Sequence, residues 1–318
     1  MQRKDSALAR PLVRGLLASL CCLLWGSAIP FINLGYRLFA IEGSATGSQI
    51  LFAGTRFFLA GFVTVIIVSA MNRRAAVPKR ESAGKVVKLA LVQTVAQYVF
   101  FYIGVAHTQS VEGSIILGLG AFVSILVACY LFKSERMNAL KWLGGLLGAA
   151  GIVAVNWTGA GAAGATGAAG AMSALGEGCL LVSMIASACS AGMIKRYGQE
   201  DDPAALSGWQ FMLGGAAMAA AGWLSGGRLS PQGIGAWGAL LYLAMLSATA
   251  YTLWAMLLQV NPVSSVAVYM FLQPIFGVLL SLLLFYDGSA VPYARYGAAL
   301  ALVCLSIAVV GRGQREGA

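Results

Sequence analysis

Ten apolar stretches fill almost the whole chain, and the positive charges lie in alternate gaps between them. A helix that crosses a bilayer needs about 20 apolar residues. These stretches are apolar on all sides and lack the alternation of barrel strands, so helices are the expected way to satisfy their backbone groups in lipid. The chain is therefore predicted to be an all-α integral membrane protein with ten transmembrane helices. The predicted spans are 13–36, 48–71, 86–106, 111–132, 139–157, 177–194, 204–225, 235–258, 264–285 and 292–311.

The composition and the positions of the basic residues agree with a membrane protein. With 59% hydrophobic and 10% charged residues, the chain does not match a soluble fold of this length. The net charge of +10 does not indicate nucleic-acid binding, because the basic residues other than Arg37, Arg56, Arg228 and Arg295 lie at the chain ends and after spans 2, 4 and 6. Loops rich in Lys and Arg stay on the cytoplasmic side. Both termini are therefore predicted to be cytoplasmic. An even number of spans independently requires the two ends to lie on the same side.

The sequence offers no motif for a cofactor, a metal or ATP hydrolysis. It contains neither G-x-x-x-x-G-K-[ST] nor H-E-x-x-H, and it has one histidine. Its six cysteines lie within predicted spans without a C-x-x-C pair, which is typical of small packing residues. We expect no cofactor and no metal.

An uncharged run rich in glycine and alanine, TGAGAAGATGAAGAMSALGE at residues 157–176, divides the spans five and five. Its composition predicts a flexible linker. Because five is odd, the second half must enter the membrane from the opposite side, as in the inverted repeats of many transporters. The predicted organisation is a five-helix repeat at 1–156, a periplasmic linker at 157–176 and a second five-helix repeat at 177–318.

Weak internal similarity favours a duplication. A shift of 152 residues aligns several pairs, and a shift of 154 aligns R-F-F-L-A-G in span 2 with Q-F-M-L-G-G in span 7. The pairs keep the same order and lie at matching places in the spans, so we interpret the two halves as related. The aligned pairs are Tyr102 with Trp254, Glu135 with Asp287, Gly145 with Gly297, Ala149 with Ala301, and Arg56 with Gln210.

Three segments carry a resemblance to a known family: W-G-S-A-I-P-F at 25–31, T-R-F-F-L-A-G at 55–61 and F-L-Q-P-I-F-G-V-L-L-S-L-L-L-F-Y-D at 271–287. They resemble the EamA-type ten-helix exporters of the drug/metabolite transporter superfamily, over about residues 14–311. Among these, the chain looks closest to the YddG-type exporters of aromatic amino acids. It departs from the family at Phe122, where span 4 is expected to carry proline, and at Asp287, where glutamate is more usual.

The resemblance implies a multi-pass protein of the bacterial inner membrane. Spans 1–4 and 6–9 would surround a central cavity, with spans 5 and 10 supporting them from outside. Transport would proceed by alternating access, through bending of half-helices. The predicted hinge residues are Pro274 and Gly277 in span 9, with Gly118 and Gly120 in span 4.

Arg56 is the one strongly polar residue inside a predicted span. It lies about 10 Å from the outer face, counted at 1.5 Å per residue. An arginine at the centre of a span costs roughly 2.5–3.5 kcal/mol on insertion scales. Two interpretations stay open: the charge attracts a substrate carboxylate, or it holds helices together. The family carries an arginine at this place whatever the substrate, which favours the structural role.

Polar and aromatic residues on the predicted helix faces are candidates for the cavity wall. In span 3, Gln93, Gln97 and His107 share a stripe, whose counterparts in span 8 include Thr249 and Thr252. Tyr102 of span 3 instead matches Trp254, on the other face of span 8. Which face of spans 3 and 8 lines the path stays open, as does the alternative that these groups only bond neighbouring helices. The candidate set is Trp25, Pro30, Asn33, Arg56, Gln93, Gln97, Tyr102, His107, Gln210, Tyr251, Trp254, Tyr269 and Gln273.

An apolar and aromatic cavity with a few amides suits a small amphipathic solute. The predicted function is therefore export of amino acids with aromatic or large neutral side chains. No Asp or Glu lies near the middle of a span, which argues for facilitated export rather than a carboxylate proton relay. The alternatives are export of a drug or another metabolite, a membrane-embedded enzyme built on His107, Ser110 and Ser114, or a structural module. We expect no enzymatic activity, and small-residue faces on spans 5 and 7 leave monomer and homodimer open.

Overall fold

The computed structural model describes residues 7–107, 116–156, 174–285 and 293–315. Within these ranges the chain is helical and contains no strand, which confirms the all-α class. Ser110, Glu112, Ser114, Asp287 and most of the predicted linker lie outside the described residues.

Ten helical segments overlap the ten predicted stretches in the described ranges. Five of them, α1, α2, α3, α6 and α8, are long and apolar enough to cross a membrane by length and composition. Shorter apolar runs lie in α4, α5, α9 and α10. The segments are α1 (Pro11–Leu38), α2 (Thr46–Asn72), α3 (83–107), α4 (120–131), α5 (Ala139–Asn156), α6 (Ala174–Tyr197), α7 (Pro203–Leu224), α8 (Ile234–Val260), α9 (263–285) and α10 (Tyr293–Arg315).

Three segments are irregular. In α3, a π-helical turn at Ala90–Ala96 separates Ala83–Leu89 from Gln97–His107. In α4, Gly120–Leu126 continues into a π turn at Val127–Leu131. In α9, a 3-10 turn at Val268–Phe271 joins Val263–Ala267 to Leu272–Phe285. Such interruptions of the α-helical pattern often mark functional sites.

Local sequence signals fix some of the helix ends. Asp202 caps α7, because its Oδ1 accepts a hydrogen bond of 2.9 Å from the backbone N of Ala204. Proline stands at the first position of α1 and of α7, where its missing N–H would have no intrahelical partner. These signals place the helix starts where the apolar stretches begin.

The most extensive contact in the bundle joins α2 to α7 through glycines. A Cβ built on Gly54 would lie 2.8 Å from the carbonyl oxygen of Gly215, and one built on Gly208 would lie 3.3 Å from that of Gly61. As the number rises along α2 the partner's number falls along α7, so the two helices are antiparallel. The shift of 154 residues turns Gly54 into Gly208 and Gly61 into Gly215. The contact therefore repeats itself when the two halves are exchanged.

Other contacts show the same exchange. Phe57 and Phe211, also related by 154, stack on each other with ring centroids 5.3 Å apart, so they lie where the two halves meet. The helix α1 packs against α8 and α9, and correspondingly α6 packs against α3 and α4. The helices α5 and α10 form a separate antiparallel pair, in which a Cβ on Gly144 would lie 3.1 Å from Ser306 O and one on Gly151 3.2 Å from Ala299 O. Two related five-helix halves thus run in opposite senses.

Polar contacts tie the helices together at one end of the bundle, where α3 and α9 begin. Lys85 pairs with Asp201 at 2.7 Å, and the Ser82 hydroxyl donates to the same carboxylate at 2.6 Å. Burial works to raise the pKa of Asp201, but these two hydrogen bonds, together with the charges of Lys85 and Lys79, outweigh it and hold the pKa below its usual value. This contact is therefore strongest above the ordinary aspartate pKa and weakens as the pH falls through the lowered pKa. Nearby, Lys141 pairs with Glu135 at 2.9 Å.

We predict that Gly61→Ala destabilises the protein, because its methyl group would lie 2.5 Å from the backbone N of Met212. Overpacking of this kind costs roughly 1–3 kcal/mol. Gly238→Ala is the matched control, since a Cβ on this helical glycine meets nothing within 4 Å. Alanine there should be neutral or stabilise by up to about 1 kcal/mol. Thermal unfolding in detergent measures both variants, and equal shifts would contradict the glycine contact.

Candidate substrate cavity

A cavity of about 570 Å³ lies between the two halves. Its described wall comes from α1, α2, α3, the start of α4, α6, α8 and α9. In the described residues α5, α7 and α10 contribute nothing to this wall. The position of α5 and α10 is the one expected. The position of α7 is a correction, because α7 lies behind α2, to which its glycines bind it.

Aromatic rings form one side of the cavity. Trp25 of α1 packs against Trp254 and Tyr251 of α8, with ring centroids 5.0 and 5.1 Å apart. The hydroxyls of Tyr98 and Tyr251 are hydrogen-bonded across the space between α3 and α8. Phe57 lies 4.4 Å from the Tyr98 ring, so the stacked pair at the junction of the halves supports the cavity wall. The rings make a rigid apolar surface with hydroxyl groups at its edge.

Amide and indole groups in the same wall have unused hydrogen-bonding capacity. The Oε1 atoms of Gln93 and Gln97 and the Nε1 atom of Trp25 are buried without a partner among the described residues. Buried polar atoms in proteins are nearly always bonded. Three such atoms around one cavity therefore indicate a place for a polar ligand or for water.

The faces of α3 and α8 that line the cavity, left open by the sequence, are visible in the structure. On α8, Tyr251 and Trp254 line it, rather than the stripe that includes Thr249 and Thr252. On α3, the residues from both proposed faces line it. Gln93 lies within the π turn at Ala90–Ala96, and the other lining residues of α3 lie on the α-helix that follows it. The lining residues of α3 are Gln93, Gln97, Tyr98, Phe101 and Tyr102.

Arg56 lies near the middle of α2 and is 3% exposed. Its Nε donates to the Ser247 hydroxyl on α8 at 3.0 Å, and its Cζ lies 5.1 Å from the centroid of the Phe57 ring. It also lines the cavity. Both interpretations of Arg56 thus have a geometric basis, because the same side chain bonds two helices and faces the open space.

The predicted hinge residues all lie in the cavity wall. Pro274 follows the 3-10 turn of α9, as expected when proline leaves the carbonyl four residues earlier without its partner. Directly before α4, a turn at Leu119 separates it from a short helical stretch at 116–118, so Gly118 and Gly120 flank the turn. Gly277 faces Gly26 of α1, where a Cβ would lie 2.9 Å from the Gly277 backbone N. Bending at these places stays a prediction.

Four candidates lie off the cavity wall, which corrects the expectation from the sequence. Asn33 is exposed beyond the last lining residue of α1. His107 is exposed, with its Nδ1 2.8 Å from the Ile103 carbonyl of its own helix, so the geometry offers no catalytic pair for it within the described residues. Gln210 accepts a hydrogen bond of 2.7 Å from Thr94 behind the wall. The Tyr269 hydroxyl turns away towards Gly15.

The sequence analysis missed a row of serines on α6. Ser183, Ser187 and Ser190 line the cavity at positions i, i+4 and i+7 of that helix. The helical spacing is a signal that could have found them. Serines that bond backbone carbonyls between membrane helices have the same spacing, however, and Ser183 does donate to the Gln97 carbonyl at 2.8 Å.

Two antiparallel helical halves around a polar and aromatic cavity are the architecture of a membrane transporter. The chain belongs to the EamA-like transporter family, whose model matches it twice, at residues 14–157 and 174–311. One solved crystal structure superposes with a TM-score of 0.71 at 19% identity, covering 93% of this chain and 97% of that chain. At this identity the likeness shows the fold alone. No curated protein matches the sequence.

Family membership confirms the coarse part of the sequence reading. The protein is a membrane transporter of two-repeat architecture, and its family consists of transporters rather than enzymes. The resemblance to YddG-type exporters gains no support from these comparisons.

We predict that a cysteine in the cavity reacts with a small charged thiol reagent. Ser187→Cys lies in the wall, whereas Ser306→Cys, the matched control, replaces a fully buried serine that bonds the Gly144 carbonyl between α5 and α10. In a background without the native cysteines, Ser187→Cys should label and Ser306→Cys should not, as read by mass spectrometry. Labelling of the control alone would contradict a water-accessible cavity.

Proposed function

We propose that the chain exports small amphipathic metabolites from the bacterial cytoplasm, with aromatic and large neutral amino acids as the expected class. The observation that carries the proposal is the pairing of aromatic rings with unbonded amide and indole atoms around one cavity. The resemblance of the sequence to exporters of aromatic amino acids points in the same direction. The proposed substrate has an apolar side chain and a polar head, and each end has its counterpart in the wall.

The size and composition of the cavity suit such a solute. Small-molecule sites usually have volumes of about 300–1,000 Å³ and combine apolar walls with a few polar groups, and the volume here, about 570 Å³, lies within that range. Trp25, Tyr251 and Trp254 supply flat faces for a side chain. Gln93 and Gln97 on α3 supply carbonyl oxygens for an ammonium group, and Gln273 on α9 adds a third amide to the wall.

The proposed topology is ten spans in the inner membrane, with both termini cytoplasmic and the 157–176 segment periplasmic. The positive charges after spans 2, 4 and 6 support it. Movement would be alternating access, with α4 and α9 bending at their interruptions. These two helices occupy equivalent places in the two antiparallel repeats. Bending of α4 would therefore open the cavity towards one end, and bending of α9 would open it towards the other.

The described lining residues include no Asp, Glu, Lys or His. A proton-coupled carrier usually has a titratable relay within the membrane. The composition of the wall therefore favours facilitated export down the substrate's own gradient.

Purified protein in liposomes preloaded with a panel of amino acids, drugs and other metabolites tests the proposal. We expect release of Phe, Tyr, Trp, Leu or Met at rates well above those of protein-free liposomes. Release of other solutes alone would remove the amino-acid proposal, and release of none would remove the exporter proposal.

We predict that Trp254→Ala and Gln273→Ala each change the order of preference among the released solutes, because both residues lie in the cavity wall. Loss of the Trp254 ring should disfavour aromatic solutes most. Trp223→Ala is the matched control, since Trp223 is 68% exposed on α7, away from the wall. Unchanged flux and selectivity in both cavity variants would place the path elsewhere.

A further inference from the structure

Arg56 and Gln210 occupy equivalent positions in the two repeats, and the structure gives them equivalent bonds. Arg56 on α2 donates to Ser247 on α8, and Thr94 on α3 donates to Gln210 on α7. Each bond joins the second helix of one repeat to the third helix of the other. Ser247 lies 153 positions after Thr94, whereas Trp254 lies 152 positions after Tyr102 further along the same two helices. The π turn at Ala90–Ala96 accounts for the difference, since it inserts one extra residue into α3 alone.

The comparison separates the structural role of Arg56 from its charge. At the equivalent place a neutral glutamine makes the cross-helix bond while fully buried. A positive charge is therefore not needed to join the two helices. Burying one is costly, because Arg56 is 3% exposed and lies about 10 Å inside a predicted span. The charge at this position needs another explanation.

The surroundings of Arg56 leave its charge without a carboxylate. The ion pairs of the described residues involve Lys85 and Lys141, and Arg56 has no acidic partner among them. No other charged residue lines the described cavity wall. The described contacts of the guanidinium are the Ser247 hydroxyl and the Phe57 ring, and the cavity wall that it shares carries the hydroxyls of Tyr98, Tyr102 and Tyr251. Within the described residues, Arg56 is thus the one cation that lines the cavity.

We propose that the Arg56 guanidinium binds the anionic group of the transported solute, so that the cavity selects solutes with a carboxylate. This inference rests on the proposed function, because it takes the cavity as the transport site. Guanidinium groups present a planar fork of donors that matches a carboxylate. The bond to Ser247 uses Nε of Arg56 and leaves the two terminal nitrogens, Nη1 and Nη2, for the solute. A solute with an ammonium group and no acid meets like charge at Arg56 and is rejected.

Flux through proteoliposomes of L-phenylalanine and L-phenylalaninamide tests the inference, because the two differ in the carboxylate. The wild type should move the acid at least about tenfold faster than the amide. Arg56→Gln copies the residue of the other repeat and keeps a group that can bond Ser247. It should lose the preference by at least about tenfold, whereas Arg56→Lys, which keeps the charge, should retain part of it.

Thr94→Val is the matched control, since it removes the equivalent bond in the other repeat and leaves the charge of the cavity unchanged. Its acid-to-amide ratio should equal that of the wild type. An Arg56→Gln variant that keeps the wild-type ratio would overturn the inference. If that variant does not fold, the wild type decides: movement of the amide as fast as the acid overturns the inference, and a tenfold preference supports it.

Failure of the proposed function is distinguishable from failure of this inference. A wild type that moves neither probe would contradict export of phenylalanine without deciding whether Arg56 binds an anion. Thermal stabilisation of the detergent-solubilised protein by 3-phenylpropionate, compared with its neutral amide, then reads the anion site directly. Stabilisation by the anion alone supports the site, and equal or no stabilisation by the two compounds overturns it.

Discussion

The fold depends on the close approach of α2 and α7 through glycine. Lipid tails are as apolar as the helices, so burying apolar surface gives little drive for helices to associate within a bilayer. Association then relies on tight van der Waals packing, and small residues permit it. At Gly54, Gly61, Gly208 and Gly215 the backbones come so near that a methyl group would collide with the opposing chain. The antiparallel direction of this contact sets the two halves in opposite senses.

The rest of the architecture follows from that contact. With α2 and α7 joined back to back, Phe57 and Phe211 stack at the junction of the halves. The cavity then opens on the α2 side alone, where Arg56 faces it, while Gln210 stays behind. The two repeats therefore share their helix packing, but only the first places its polar residue at this position in the cavity wall. The two repeats also break corresponding helices by different means. Span 4 has Phe122 where proline is expected, yet a turn at Leu119 between two glycines precedes α4, whereas in α9 a 3-10 turn precedes Pro274.

The sequence was sufficient for the helices, the duplication and part of the cavity wall. Long apolar runs can form little else in lipid, and Trp25, Gln97 and Trp254 follow from residue type and helical spacing. Spacing states which residues share a face, but not which neighbour covers that face. His107 and Asn33 share predicted faces with lining residues and yet lie at helix ends beyond the cavity. The π turn in α3 was also invisible, because no residue in Ala90–Ala96 signals it.

The central claim is that corresponding loops of the two halves lie on opposite sides of the membrane. Gly43 lies in the loop before α2, and Glu200 lies in the equivalent loop before α7. Glu200 pairs with Lys85 near the start of α3, which lies at the opposite end of α2 from Gly43. Labelling of Gly43→Cys and Glu200→Cys with a membrane-impermeant thiol reagent, in cells and in inverted vesicles, tests this directly. The account predicts that Gly43→Cys reacts in cells and Glu200→Cys in inverted vesicles. Reaction of both from the same side would contradict it.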